Sequence, residues 1–121
     1  MKIGKYDVPL FADFAASKTL TLPGGKATRQ VYFGENLLVV RNVIREDVVL
    51  PEHAHSHEQM NYISEGECEV ILDGTQRKTM RAGEICLFPS GMKHSLVCKA
   101  NTVIWDLFTP LREDIIQSVL G

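Results

Sequence analysis

Metal-binding side chains recur at every second position of one short segment, and a further histidine follows downstream. The segment carries His53, His55, His57 and Gln59, and the further residue is His94. Alternate side chains of an extended strand share a face, so the first four are in phase. If that face points into a barrel, its polar groups need partners, which a metal ion supplies. The pattern predicts a metal site on His53, His55, Gln59 and His94, against the alternative of a solvated histidine-rich loop.

Two neighbours of these residues are expected to play a lesser part. His57 shares the strand parity, but we expect it beside the site or at the surface rather than as a ligand. Glu58 has the opposite parity and should point away from the site. A β-bulge would shift this parity.

The predicted ligands do not single out one metal. Three imidazoles and one amide suit zinc, nickel, manganese, iron or cobalt, so we expect one divalent ion of this group. Because Gln59 is neutral, the ligands leave the charge of the ion uncompensated. Such a site is a strong Lewis acid and a good anchor for an anion such as a carboxylate.

The elements that must position these residues are short strands separated by turns. Gln30–Phe33 and Leu37–Val43 flank Gly34-Glu35-Asn36, which predicts a hairpin, and Asp73-Gly74 is the preferred pair for a two-residue hairpin loop. Only the tail is typical of a helix, predicted over about residues 110–120 with Thr109 as N-cap and Pro110 in its first turn. We expect a single all-β domain over residues 1–121, with an N-terminal arm over about residues 1–25.

Composition excludes several classes of protein. The 121 residues carry a net charge of −2 without a basic cluster, which argues against a nucleic-acid partner. No apolar run approaches the length of a membrane span, and the first residues lack the layout of a signal peptide, so we expect a cytoplasmic protein without a membrane partner. The three cysteines have no paired spacing and are interpreted as small buried residues.

At the histidines the sequence resembles the cupin superfamily. The first cupin motif is a glycine, five residues, His-x-His, three or four residues, a glutamate, six residues and a glycine. It is matched over residues 47–66, with Asp47 for the first glycine and Gln59 for the glutamate. The second motif is matched over residues 83–98 by Gly83, Pro89, Gly91 and His94, with Cys98 for the final asparagine. The resemblance implies a double-stranded β-helix, or jelly-roll barrel, with the metal inside and the motif glycines at its turns.

A second resemblance lies in the tail. Residues 104–114, Ile-Trp-Asp-Leu-Phe-Thr-Pro-Leu-Arg-Glu-Asp, are similar to the ending of small cupins of pectin and alginate breakdown, which convert an unsaturated monouronate ring into its linear keto form. The resemblance implies that Asp106 is a general acid/base, that Arg112 binds the substrate carboxylate and that Phe108 packs against the ring. The structural alternatives are an ion pair between Asp106 and Arg112 and core packing of Phe108. Trp105 has the opposite parity, and we expect the tail helix or a partner subunit to cover it.

These features lead to three competing functions. The first is a metal-dependent isomerase or lyase that opens an unsaturated uronate or a similar anionic sugar, with a role in carbohydrate metabolism. The second is an iron cupin dioxygenase, and the third is a cupin that binds a small ligand without catalysis. The resemblance also implies a homodimer, formed by exchange or packing of N-terminal strands.

Overall fold

The protein is built from twelve strands, one 3-10 turn and one α-helix. The structure, a computed structural model, describes residues 1–121. The strands are β1 (Lys2–Ile3), β2 (Tyr6–Asp7), β3 (Leu20–Thr21), β4 (Ala27–Phe33), β5 (Leu38–Ile44), β6 (Val49–His53), β7 (Glu58–Glu65), β8 (Glu67–Leu72), β9 (Gln76–Arg81), β10 (Ile85–Phe88), β11 (His94–Cys98) and β12 (Thr102–Thr109). The 3-10 turn spans Phe14–Ala16, and helix α1 spans Glu113–Leu120. The all-β class with one short C-terminal helix is confirmed.

Two antiparallel sheets form the barrel. The larger sheet has the order β10-β7-β12-β5-β4-β3, and the smaller has the order β6-β11-β8-β9. Alternation along the strands directs one set of side chains inward, such as Ile63 and Ile104 from the larger sheet and Val70 and Leu96 from the smaller. These four pack in one buried cluster, so the two sheets close over a common core, as the jelly-roll prediction requires.

Both predicted hairpins are present. Strands β4 and β5 pair from Ala27↔Ile44 to Phe33↔Leu38 around the loop at residues 34–37. Asp73 and Gly74 connect β8 to β9 with φ angles of 50° and 72°. Two consecutive positive φ angles are the signature of the turn that an Asp-Gly pair favours, because these residues adopt such angles at the least steric cost.

Gly66 is a motif glycine at a position where a residue with a Cβ atom would not fit. Its φ angle is 91°, and a Cβ atom added there would clash with the backbone oxygen of Asn101. Asp47, which replaces the first motif glycine, also has a positive φ angle, of 67°. The turn therefore still demands the left-handed conformation, which aspartate tolerates better than most residues.

The N-terminal segment packs on its own barrel, and one of its anchors is the buried side chain of Gln30. Gln30 Nε2 donates to the carbonyl oxygen of Phe14 and to Thr19 Oγ1. The ring of Phe14 lies edge-on to Trp105, with 5.2 Å between centroids. The 3-10 turn, rather than α1, contacts Trp105, because Gln30 anchors this turn to the barrel. Coverage of Trp105 by a partner subunit stays a prediction.

Helix α1 begins later than predicted. Thr109 still pairs with Glu58 in the sheet, so β12 continues to the position predicted as the N-cap. The cap is Arg112 instead, and Pro110 lies in the connection. The side chains of Ile115, Ile116 and Val119 are buried, which places the apolar face of α1 against the barrel.

Two of the three cysteines meet the prediction of burial. Cys68 and Cys98 are opposite each other in the register of β8 and β11 and are fully buried as free thiols, whereas Cys86 is only half-buried. Cys86 differs because it lies on β10, the edge strand of the larger sheet. No helix is both long and apolar enough to cross a membrane.

Candidate metal centre and cavity

The histidines come together from two strands and a loop rather than from one strand face. Strand β6 ends at His53, which lies opposite His94, the first residue of β11. His55 lies in the loop that crosses from β6 to β7, and its carbonyl oxygen accepts a hydrogen bond from the amide of Gly91. The expected single extended row is therefore wrong in its geometry, because the chain leaves the smaller sheet after His53 and enters the larger one at Glu58.

Three imidazoles converge at the site. The potential ligand atoms of His53, His55 and His94 all lie within 4.8 Å of one another. The side chain of His94 is buried, that of His55 is half-buried and that of His53 is exposed. The structure thus brings together the three histidines that the sequence predicted.

Each of these imidazoles is oriented by a backbone carbonyl. The Nδ1 atoms of His53, His55 and His94 lie 2.9, 3.0 and 2.9 Å from the carbonyl oxygens of Pro51, His57 and Met92. A carbonyl oxygen only accepts, so each Nδ1 carries the proton and each Nε2 presents its lone pair. This second hydrogen bond is the usual way in which proteins fix the tautomer of a metal-binding histidine.

The amide of Gln59 is oriented from its other end. Its Nε2 donates to Asp106 Oδ1 over 2.8 Å, and its Oε1 lies 2.9 Å from Nε2 of His55. Since a carboxylate accepts hydrogen bonds, the amide oxygen must be the atom that faces the histidines. Gln59 is buried on β7, whose neighbouring residue Glu58 points outward as predicted.

These groups fit a divalent metal ion. Nε2 of His55 and Oε1 of Gln59 both present lone pairs to each other, and Nε2 of His94 is buried without a hydrogen-bond partner. Burial lowers the pKa of His94 to about 4 and lowers that of His55 as well, so both rings are neutral at physiological pH. Neutral lone pairs that face one another are stabilised by a cation, which His53, His55, His94 and Gln59 would bind.

His57 lies outside this group. Its carbonyl oxygen accepts the hydrogen bond from His55 Nδ1, and its ring lies 5.5 Å from that of His55 between centroids. This position is the supporting one expected from the sequence, in which His57 orients a neighbour.

Asp106 is held by three side-chain amides. Gln59 Nε2 and Asn61 Nδ2 donate to its Oδ1 over 2.8 and 2.7 Å, and Asn42 Nδ2 donates to its Oδ2 over 3.0 Å. Burial raises the pKa of Asp106, and the hydrogen bonds from these amides oppose the rise. The carboxyl group is therefore fixed in place next to the predicted ligand Gln59.

A cavity of about 430 Å³ lies over this network. Its lining includes His53, His94, Gln59, Asp106 and Phe108. This volume is in the usual range of sites for small molecules. All of these side chains are thus accessible to one bound ligand.

The structure bears on both structural alternatives at the end of β12, the ion pair of Asp106 with Arg112 and the core packing of Phe108. Asp106 and Arg112 do not form an ion pair, because Arg112 instead donates to both carboxylate oxygens of Asp114 over 3.0 and 2.7 Å. Phe108 is buried in a core cluster, yet its ring also lies edge-on to His55, with 5.7 Å between centroids. Phe108 therefore packs in the core and lines the cavity at once.

Among the polar residues of the cavity that were not predicted are Asn42, Asn61 and Arg29. Asn42 and Asn61 are buried donors to Asp106, and Arg29 enters the cavity from β4. Asn61 shares the parity of Gln59, which is a usable signal. Asn42 and Arg29 are recognisable only once β4 and β5 are placed beside β12.

Comparisons with known proteins agree with this architecture. The family model described as "Cupin domain" matches residues 43–105. An RmlC-like cupin from Shewanella frigidimarina is 31% identical, with 88% of this chain and 95% of that chain covered and a TM-score of 0.81. KdgF from Halomonas sp. is 24% identical, with coverages of 89% and 98% and a TM-score of 0.77. A predicted oxalate decarboxylase from Thermotoga maritima is 16% identical, with coverages of 84% and 100% and a TM-score of 0.71. No curated protein matches the sequence.

Proposed function

Because this chain belongs to the cupin family, we propose that it is a metal-dependent enzyme that opens the ring of a 4,5-unsaturated monouronate. The observation that carries the proposal is the hydrogen bond between Gln59 and Asp106. This contact supports the proposal because a carboxyl group suited to proton transfer lies directly beside the uncharged side chains that would hold the metal ion. Both face a cavity large enough for one sugar.

The reaction is redox-neutral and needs proton transfers. The hydroxyl group on C1 loses its proton, the bond between C1 and the ring oxygen breaks, and C1 becomes an aldehyde. The electron pair of that bond passes to the ring oxygen, which becomes an enolate, and protonation of C4 then gives the linear keto acid. The atoms balance, because one proton leaves the hydroxyl group on C1 and one proton is added at C4.

Asp106 is suited to move these protons. In its ionised form it accepts a proton, and in its protonated form it returns one, while the amides of Asn42 and Asn61 keep its position fixed. A divalent ion on the histidines and Gln59 would act as a Lewis acid that polarises a substrate oxygen. The resemblance of the tail assigns the substrate carboxylate to Arg112 and the face of the ring to Phe108, and both line the cavity.

Product analysis separates this proposal from the other two functions. Zinc-, nickel-, manganese-, iron- and cobalt-loaded protein would be incubated with unsaturated galacturonate while oxygen consumption is recorded. We expect a linear keto product of unchanged mass, detected by NMR and mass spectrometry, without oxygen uptake. Oxygen uptake coupled to an oxidised product would support the iron dioxygenase instead. Binding without conversion would support a non-catalytic cupin.

The proposal includes a homodimer in the cytoplasm, with its interface on an outer sheet face instead of the N-terminal strands that the resemblance implies. Four large apolar side chains on the outer faces of β7 and β10 are exposed, namely Met60, Tyr62, Ile85 and Leu87. They lie on adjacent strands and form one patch, which a second copy would bury. Light scattering tests this, with Leu87→Glu expected to give a monomer. The three free cysteines favour a reducing compartment.

A further inference from the structure

Two arginines line the cavity, and they differ in their partners. The guanidinium group of Arg112 is engaged by both carboxylate oxygens of Asp114, and it also lies 5.3 Å from the centroid of the Phe108 ring. The edge of the guanidinium formed by Nε and Nη2 is therefore already engaged by the protein itself. Arg112 thus has less capacity left for a ligand than its position suggests.

Arg29 has no such partner. It forms none of the ion pairs of the protein, and its Nε atom is buried without a hydrogen-bond partner. Burial lowers the pKa of Arg29, and the charge of Asp106 only partly opposes this. A half-buried guanidinium that lacks a hydrogen-bonded partner lowers the stability of the folded protein, because its charge has lost water without gaining a partner.

The position of Arg29 relates it to the reacting groups. It is opposite Asn42 in the register of β4 and β5, and Asn42 donates to Asp106 Oδ2. Arg29 therefore lines the same cavity as Asp106, the carboxyl group that we assign to proton transfer, and Asn42 lies beside both residues. The charge of Asp106 raises the pKa of Arg29 and so opposes part of the effect of burial, and no direct hydrogen bond joins the two side chains.

We propose that Arg29, rather than Arg112, binds the carboxylate of the ligand. The planar fork of a guanidinium matches a carboxylate through two parallel hydrogen bonds, and a ligand of this class would supply the partner that Arg29 lacks. Arg112 and Asp114 then form a fixed rim of the cavity. The identity of the acid as a uronate rests on the proposed function, whereas the recognition of a carboxylate does not.

The test uses a ligand that cannot be converted to the linear keto acid. D-Galacturonate lacks the double bond between C4 and C5, and D-galactose is its neutral counterpart. Each would be titrated by calorimetry into zinc-loaded wild-type protein and into Arg29→Gln, Arg29→Lys, Arg112→Gln and Arg77→Gln. Arg77 is exposed and pairs with Glu69 on the outside of the barrel, so its variant is the charge-matched control. Zinc content and circular dichroism of each variant would be measured in parallel.

We expect the wild-type protein to bind galacturonate more tightly than galactose. Arg29→Gln should weaken the binding of galacturonate by about tenfold to a hundredfold, the loss typical of a hydrogen-bonded charge pair, and leave that of galactose unchanged. Arg77→Gln should bind both sugars as the wild type does. Arg29→Lys keeps the charge but loses the fork, so it should also bind galacturonate more weakly, and it decides the outcome if the glutamine variant does not fold.

Three results would overturn the proposal. They are unchanged galacturonate binding in the Arg29 variants, a loss found only in Arg112→Gln, and a wild-type protein that does not prefer the acid. The test is independent of turnover. A protein that binds galacturonate through Arg29 but leaves the unsaturated uronate intact would retain the carboxylate site and lose the proposed reaction.

Discussion

The amide of Gln59 connects His55 to Asp106, with its oxygen 2.9 Å from His55 Nε2 and its nitrogen 2.8 Å from Asp106 Oδ1. This arrangement explains why glutamine stands where the cupin motif has glutamate. A glutamate there would place one carboxylate against another. No hydrogen bond could join the two groups unless one of them were protonated. The neutral amide of Gln59 and the carboxyl group of Asp106 are thus parts of one hydrogen-bonded unit.

Gln59→Glu should therefore destabilise the metal-free protein. We expect the free energy of unfolding at neutral pH to fall by about 1–3 kcal/mol, because a donor is lost and two buried carboxyl groups are brought together. Urea denaturation in the presence of a chelator measures it. The double variant Gln59→Glu/Asp106→Asn should recover part of the loss, because the introduced asparagine restores a donor, and additive effects of the two changes would contradict this coupling.

Asp106→Asn should affect both the metal site and the reaction. Because Asp106 orients Gln59, the affinity for zinc should fall by about tenfold to a hundredfold, as for other groups that orient ligands. At saturating zinc the ring-opening activity should still be lost, because an asparagine side chain cannot transfer a proton as a carboxyl group does. Competition with a zinc-binding dye and turnover at high zinc separate the two effects.

The matched control for that variant is Asp7→Asn. Asp7 is exposed and pairs only with Lys2, far from the cavity. It should leave zinc affinity and turnover unchanged. Full turnover in Asp106→Asn would remove Asp106 from the proposed reaction.

The glycine at position 66 can be tested by stability alone. Gly66→Ala should lower the free energy of unfolding by more than about 2 kcal/mol, because the added Cβ would meet the backbone of Asn101 and the φ angle of 91° is left-handed. Gly34→Ala is the control, since nothing lies within 4 Å of a Cβ atom there. Equal midpoints of thermal unfolding for the two variants would contradict this interpretation of the turn.

The pair of Arg112 and Asp114 predicts a pH dependence of stability. Hydrogen bonds from Arg112 lower the pKa of Asp114 to about 2, below the usual value of about 3.9. A carboxyl group whose pKa is lower in the folded than in the unfolded protein stabilises the fold at pH values above its unfolded pKa. This contribution is lost as the pH falls to its folded pKa. Wild-type protein should therefore exceed Asp114→Asn in urea midpoint above about pH 4, and the difference should vanish near pH 2. A difference that stays constant over this range would show that Asp114 acts through something other than its charge.

Local features of the fold followed from the sequence. Asp73-Gly74 and the alternation on both sides of it are short-range signals, and the structure places a hairpin there. The spacing of His53, His55 and His94 was likewise sufficient to predict that they converge. Even so, the prediction of one continuous strand from His53 to Gln59 was wrong, because the alternation of side chains cannot show that the chain changes sheets between these residues.

The remaining features depend on tertiary pairing. Arg29 faces the cavity only because β4 lies beside β5, which in turn lies beside β12. The late start of α1 has a similar cause, since pairing of Thr109 with Glu58 extends the strand over the predicted cap. Neither neighbour is adjacent in sequence, so no local pattern could indicate these contacts.

The most direct test of the proposed function is the decay of the enol-ether absorbance of unsaturated galacturonate or mannuronate, prepared with a polysaccharide lyase. Metal-loaded wild-type protein, the same protein after chelation, and metal-loaded Asp106→Asn would be compared with buffer. We predict rapid decay with the loaded wild-type protein alone. Decay at the buffer rate with every divalent metal would contradict the proposed reaction.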